Sequence, residues 1–187
     1  MAITIKSLKI MFWVALISTV LVFFIFVPIP SVKILVGDRV WFKVPVALGG
    51  KFETLYEHSV QKTPVIDEYV ISCGRIWQWQ ERVKSHNAGL PFEVPRNGKF
   101  LATNGWFYFR GGRWNWNRFF LRVGNDILGK NIIVFGDGFI DGTPERTTYK
   151  LFTILRGRKL VVQWMSTTIV SCLFSNESLR IVPNMVE

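Results

Sequence analysis

The chain has 187 residues, 49% of them hydrophobic, and carries 23 Lys and Arg against 13 Asp and Glu for a net charge of +10. That length supports one domain with a core of its own, and with only two cysteines and two histidines the chain is no small scaffold held by disulfides or a structural metal. The cationic surplus points to an anionic lipid, a nucleic acid or an acidic partner.

Taken in chain order, residues 1–9 are a short tail made basic by Lys6 and Lys9. Residues 10–27 read IMFWVALISTVLVFFIFV, eighteen positions without a charge. At 1.5 Å per residue they span about 27 Å, close to a hydrocarbon core of about 30 Å. Positive charge ahead of the run favours a cytoplasmic N-terminus, although Lys33 and Arg39 behind it weaken the asymmetry. A cleaved signal sequence competes with this reading, but its apolar core is shorter, about 7–15 residues, and ends at an Ala-x-Ala-like site. Here Val27-Pro28-Ile29-Pro30-Ser31 ends the run, and no cysteine stands nearby for lipoprotein processing.

The expected layout is a cytoplasmic basic tail at 1–9, a transmembrane anchor at 10–28, a spacer at 29–39, an extracytoplasmic β-domain at 40–164 and a C-terminal tail at 165–187. An exported domain meets no nucleic acid, which leaves the membrane or an acidic partner for its positive charge.

From residue 32 onward, short apolar or alternating runs are punctuated by Gly, Pro, Asn and Asp. That pattern predicts an all-β fold, an antiparallel β-sandwich or open barrel, with strands at 40–47, 52–59, 68–71, 75–83, 100–102, 106–110, 119–123, 132–135, 149–155 and 160–164. Cys73-Gly74, Gly111-Gly112 and Asp137-Gly138 are the expected hairpin turns, because glycine accepts positive φ. A second apolar stretch at 160–174 is too short and too rich in Ser and Thr to span a bilayer, so it reads as a terminal strand followed by a docked or interfacial segment. Cys73 and Cys172 are expected as free, mostly buried thiols.

Along 52–58, a period of two puts Phe52, Thr54, Tyr56 and His58 on one face and Glu53, Leu55 and Glu57 on the other. His58 is then inward, and His58 and Ser59, being adjacent, point to opposite faces and form no nucleophile-base pair. A hairpin across residues 62–66 would bring Glu68 to His58 as a hydrogen-bonded clamp. Metal-type spacing is missing around His58, His86, Glu57, Asp67 and Glu68, and the Gly136-to-Gly142 stretch lacks the acids of a calcium loop, so no metal or other cofactor is expected. The run from Arg110 to Arg118 is the densest mixture of cations and tryptophan. Arg110, Arg113, Trp114, Trp116 and Arg118 form the candidate membrane- or partner-facing edge, while Trp77 and Trp79 read as core.

His58-Ser59-Val60, Glu68-Tyr69, Gly89-Leu90-Pro91 and Arg122-Val123-Gly124, in that order, resemble the bacterial domain of unknown function 1850 family over residues 50–124, though His86 departs from its pattern. The resemblance implies a lone anchor before a small β-domain, with genes beside TAXI-type TRAP transporters. It points to a single-pass accessory or binding protein of the cell membrane, not an enzyme, with the transporter's membrane subunit or solute-binding protein as partner. In it His58, Ser59, Glu68, Gly89 and Pro91 make a structural clamp or hold a small anionic solute. Two other readings stand beside it. One is an exported envelope hydrolase with His58 as general base and Glu68 as orienter, within about 3.2 Å of each other. The other is a lipid or cell-wall-polymer binding module using exposed tryptophans.

Overall fold

The apolar run forms one continuous helix, α1 (Ile5–Phe26), in the computed structural model, which describes residues 5–46, 50–85, 90, 93–111, 114–136, 147–168 and 170–171. Its large apolar side chains are exposed on every side, and its 19 residues from Leu8 to Phe26 are long and apolar enough to cross a membrane.

Strands β1 (Pro28–Val36) and β2 (Arg39–Pro45) follow as a hairpin, and β3 (Lys51–Glu57), β4 (Pro64–Ser72) and β5 (Arg75–Val83) form a meander. A second hairpin joins β6 (Lys99–Thr103) to β7 (Trp106–Arg110), and the two-residue β8 (Asn115–Trp116) leads into β9 (Arg118–Arg122). Then come β10 (Gly129–Phe135), β11 (Thr147–Lys150), the one-turn helix α2 (Leu151–Ile154) and β12 (Lys159–Thr168). The strands pair antiparallel in two sheets, a small one ordered β2-β1-β12-β9 and a large one ordered β11-β10-β3-β4-β5-β7-β6 with β8 beside β5. They face each other as an open sandwich, the expected fold class, and do not close into a barrel.

The core between the sheets is aromatic at its centre. Phe52 of β3, fully buried, stacks on Tyr69 at 4.9 Å and lies near Phe135 at 5.7 Å in its own sheet. Across the sandwich it meets Phe119 of β9 at 6.4 Å, which also stacks on Tyr69 at 4.9 Å. Val32, Ile34, Leu160 and Val162 close the core from the small sheet. A second apolar cluster of Val65, Val83, Leu90 and Phe109 lies at the other end of the large sheet.

Several expected boundaries move. Residues 29–39 are not a spacer: β1 occupies the interior of the small sheet between β2 and β12, with Val32 and Ile34 fully buried. Its prolines are tolerated because they sit at the strand's first positions, where Pro30 contributes only its carbonyl, accepting the Val46 N–H at 2.9 Å. The β-region therefore runs from Pro28 to Thr168 and past both expected limits, since β12 stays paired with β1 along its whole length. The run at 149–155 breaks into β11 and α2 because Leu151 and Leu155, four apart, are both buried on one side.

Cys73-Gly74 is the expected hairpin turn, at φ 49° and 69°. Of the Gly111-Gly112 pair, Gly112 lies outside the described residues, and β7 and β8 on either side do not pair with each other. β7 and β8 pair with the same strand, β5, in the same direction, and the Gly111 N–H donates to Trp79 O at 2.9 Å, so Gly111 lies at a break in one edge. Asp137-Gly138 and residues 172–187 lie outside the described residues, apart from which β12 supplies the expected terminal strand.

Candidate functional site

β3 ends at Glu57, so His58 leaves the strand before its side chain can turn inward. Its Nδ1 accepts the backbone N–H of Val60 at 3.3 Å and of Gln61 at 3.2 Å. Its own N–H donates to Thr63 O at 2.9 Å and its carbonyl accepts the Lys62 N–H at 2.9 Å. An acceptor Nδ1 leaves the proton on Nε2 in the neutral ring, so His58 caps the β3–β4 turn instead of joining the aromatics. Ser59 is exposed in the same turn.

Glu68 points outward from β4 and binds Lys51 Nζ at 2.7 Å. The His58–Glu68 clamp therefore does not form, and neither does the base-orienter pair that the hydrolase reading requires. Glu68 belongs instead to a lattice on the outer face of the large sheet. Glu53 and Glu68 are register partners, and their repulsion is relieved by Arg82, 2.6 Å from Glu53, and by Lys51. Arg110 Nε donates to the buried Gln80 Oε1 at 2.8 Å, and Lys130 holds Glu57 at 2.9 Å, a hydrogen bond that pulls the Glu57 carboxyl below its usual range.

The inward face of the same sheet carries a cluster of ionisable groups of a different kind. Val65, Asp67, Tyr69 and Ile71 alternate toward the core, and Asp67 is register partner to Thr54 on β3 and to Glu81 on β5. Gln78 Nε2 donates to Asp67 Oδ1 at 2.9 Å. Burial pushes Asp67 up to about 6. Burial, and then the charge of Asp67, push Glu81 up to about 8. Tyr56 is raised to about 12 by burial and then by both carboxylates; Tyr69 is raised likewise while sharing a hydrogen bond with Thr54. Among the described residues no cation forms an ion pair with either inward carboxylate. The environments of the two acids thus separate their proton affinities, and Glu81 keeps its proton to higher pH than Asp67.

Gly89 and Pro91 lie outside the described residues, but Leu90 between them is buried against Val65, Val83 and Phe109, beside Tyr56. Val65 and Val83 are the next inward positions after Asp67 and Glu81, so Leu90 seals that end of the carboxylate pair. The glycine of Arg122-Val123-Gly124 has a steric cause: a Cβ there would lie 1.9 Å from Leu128 O. Asn131 Oδ1 also accepts the Gly124 N–H at 2.6 Å.

The candidate edge divides. Arg110 and Arg118 are exposed and Trp114 is 69% exposed, whereas Trp116 packs inward on Phe119 at 6.0 Å; Arg113 lies outside the described residues. Trp79 is also exposed, contrary to its expected core position, because the ladder slips between Glu68 and Tyr69, leaving Trp79 without a partner on β4. Cys73 is exposed at the tip of its turn instead of buried, and Cys172 and His86 lie outside the described residues.

The sequence reading missed the pairing of Asp67 with Glu81. The parity of Val65, Tyr69 and Ile71 marks Asp67 as inward and that of Val83 marks Glu81, but the register that sets the two opposite each other is tertiary. Among the described residues, no group of three or more His, Cys, Asp or Glu is placed to hold a metal ion.

Residues 52–141 match a family described as a domain of unknown function, DUF1850. No curated protein and no solved structure matches the chain. The matched span holds β3 to β10, and so includes the His58 turn, the carboxylate pair and Leu90, while β1, β2 and β12 lie outside it.

Proposed function

We propose that this chain, resembling DUF1850 through most of its large sheet, is a single-pass accessory protein whose β-domain faces the extracytoplasmic side and works beside a membrane transporter. The observation that carries the reading is the junction of α1 with β1. The helix ends at Phe26, the strand opens at Pro28, and the N–H of Val27 still bonds Phe24 O at 3.2 Å. This junction has no extended small-residue stretch of the kind a signal peptidase needs, which supports an uncleaved anchor.

The resemblance supports a TAXI-type TRAP transporter's membrane subunit or solute-binding protein as partner. The placement of His58 and Glu68 supports a binding or structural role over the hydrolase reading, because His58 Nδ1 is held by the β3–β4 turn and Glu68 by Lys51, which leaves no base-orienter pair.

The test uses the full chain expressed in a bacterium beside such a transporter. Retention in the membrane after alkaline carbonate extraction, digestion of the β-domain by protease added outside the cytoplasmic membrane, and co-purification with the transporter in mild detergent are expected. Release by carbonate, a mature N-terminus beyond Val27, or isolation without the transporter would overturn the reading.

A further inference from the structure

The charges of the small sheet lack the counterparts found on the large one. β1, β2, β9 and β12 contain Lys33, Arg39, Lys43, Arg118, Arg122 and Lys159 and no Asp or Glu. Since Val32, Ile34, Leu160 and Val162 fill the core, the alternate positions face outward.

Register sets these outward positions in rows. Lys43, Lys33, Gln163 and Arg118 are successive neighbours across the four strands. The next row is Val40, Leu35, Val161 and Phe120, and Lys159 stands opposite Arg122 beyond it. Phe120 is 57% exposed, and Lys159 Nζ lies 3.9 Å from the centre of its ring. Like charges opposed across strands repel. Glu53 and Glu68 are relieved by cations, but among the described residues no carboxylate pairs with Lys33, Lys43, Arg122 or Lys159. An apolar belt between two rows of cations matches the headgroup region of a bilayer, with cations at phosphates and apolar groups below them.

We propose that the outer face of the four-stranded sheet docks on the anionic headgroup layer of the bilayer that α1 enters. This rests on the anchored reading above. β1 leaves the anchor and then runs through the interior of this very sheet, so the tether presents the face to that bilayer at high effective concentration. No soluble acidic partner has that advantage.

The experiment places the full chain in nanodiscs of phosphatidylcholine with or without phosphatidylglycerol. An environment-sensitive fluorophore is attached at Phe120→Cys, or at Leu101→Cys on the large sheet, in a Cys73→Ser, Cys172→Ser background. With phosphatidylglycerol, quenching by spin-labelled lipid is expected to be at least about threefold greater at position 120 than at 101, and to fall in high salt. It is also expected to vanish when Lys33, Lys43, Arg118, Arg122 and Lys159 are all changed to Gln, a variant that relieves repulsion and so melts no lower than the parent. Equal quenching at the two positions, or the same quenching in phosphatidylcholine alone, overturns the proposal. A fluorophore response to soluble polyglutamate exceeding that to lipid also overturns it, in favour of an acidic protein. Failure of the anchored reading shows separately, as chain that does not enter the discs.

Discussion

Replacing Glu81 with Gln should make the domain more stable at alkaline pH and flatten its pH dependence. Both inward carboxylates have proton affinities raised above their ordinary values, Glu81 from 4.5 to about 8 and Asp67 from 3.8 to about 6. The folded state therefore holds more protons than the unfolded one between those limits, and stability is lost as pH rises through them. At about 1.4 kcal/mol for each tenfold change in proton affinity, the Glu81 shift alone corresponds to on the order of 5 kcal/mol. That is a large share of the roughly 5–15 kcal/mol by which a domain is ordinarily stable. The assay is urea unfolding of the full chain in nanodiscs, followed by tryptophan fluorescence at about pH 5, 7 and 9. The parent should lose stability across the series, and Glu81→Gln, neutral throughout, should lose much less and exceed the parent at the highest pH. A parent as stable at about pH 9 as at about pH 5, or a variant less stable than the parent at about pH 9, would refute the reasoning.

Gly124→Ala should sharply lower the yield of folded protein, because its Cβ meets a backbone oxygen that no side-chain rotation can move; a melting temperature equal to the parent's would count against that contact. His58→Ala removes an acceptor shared by two turn N–H groups and should cost about 1 kcal/mol in the same urea assay, with no change in transporter co-purification. Loss of partner binding with stability intact would return His58 to a functional role.

The two-sheet fold was legible because the strands alternate and glycines stand at their turns: Phe52, Thr54 and Tyr56 do share one face, and Cys73-Gly74 does turn a hairpin. What was hidden depended on tertiary register. The slip at Trp79 shifts the parity of β5, so that Ile76 and Gln78 face inward before it and Glu81 and Val83 after it, with Trp79 turned outward, and no local pattern announces it. His58 lies one residue past the end of β3, enough to convert an expected inward side chain into a turn cap. β1 was obscured by prolines directly behind the apolar run, a composition that reads as linker until β12 is seen to pair with it. Of the proposed clamp, Glu68 was correctly placed on β4 but one position away from the inward acid, Asp67.

The pairing of β1 with β12 also orders events in time. These two adjacent interior strands of the small sheet come from opposite ends of the β-region, whereas β3, β4 and β5 are sequential neighbours. A chain that emerges from its N-terminus can zip up the meander early, because short loops close at little entropic expense. The core side of that meander, with Phe52 and Tyr69, stays uncovered until Lys159–Thr168 has emerged and slotted in between β1 and β9. The final strand thus acts as a completion signal, and until it arrives the half-built sandwich exposes the surface most prone to aggregation.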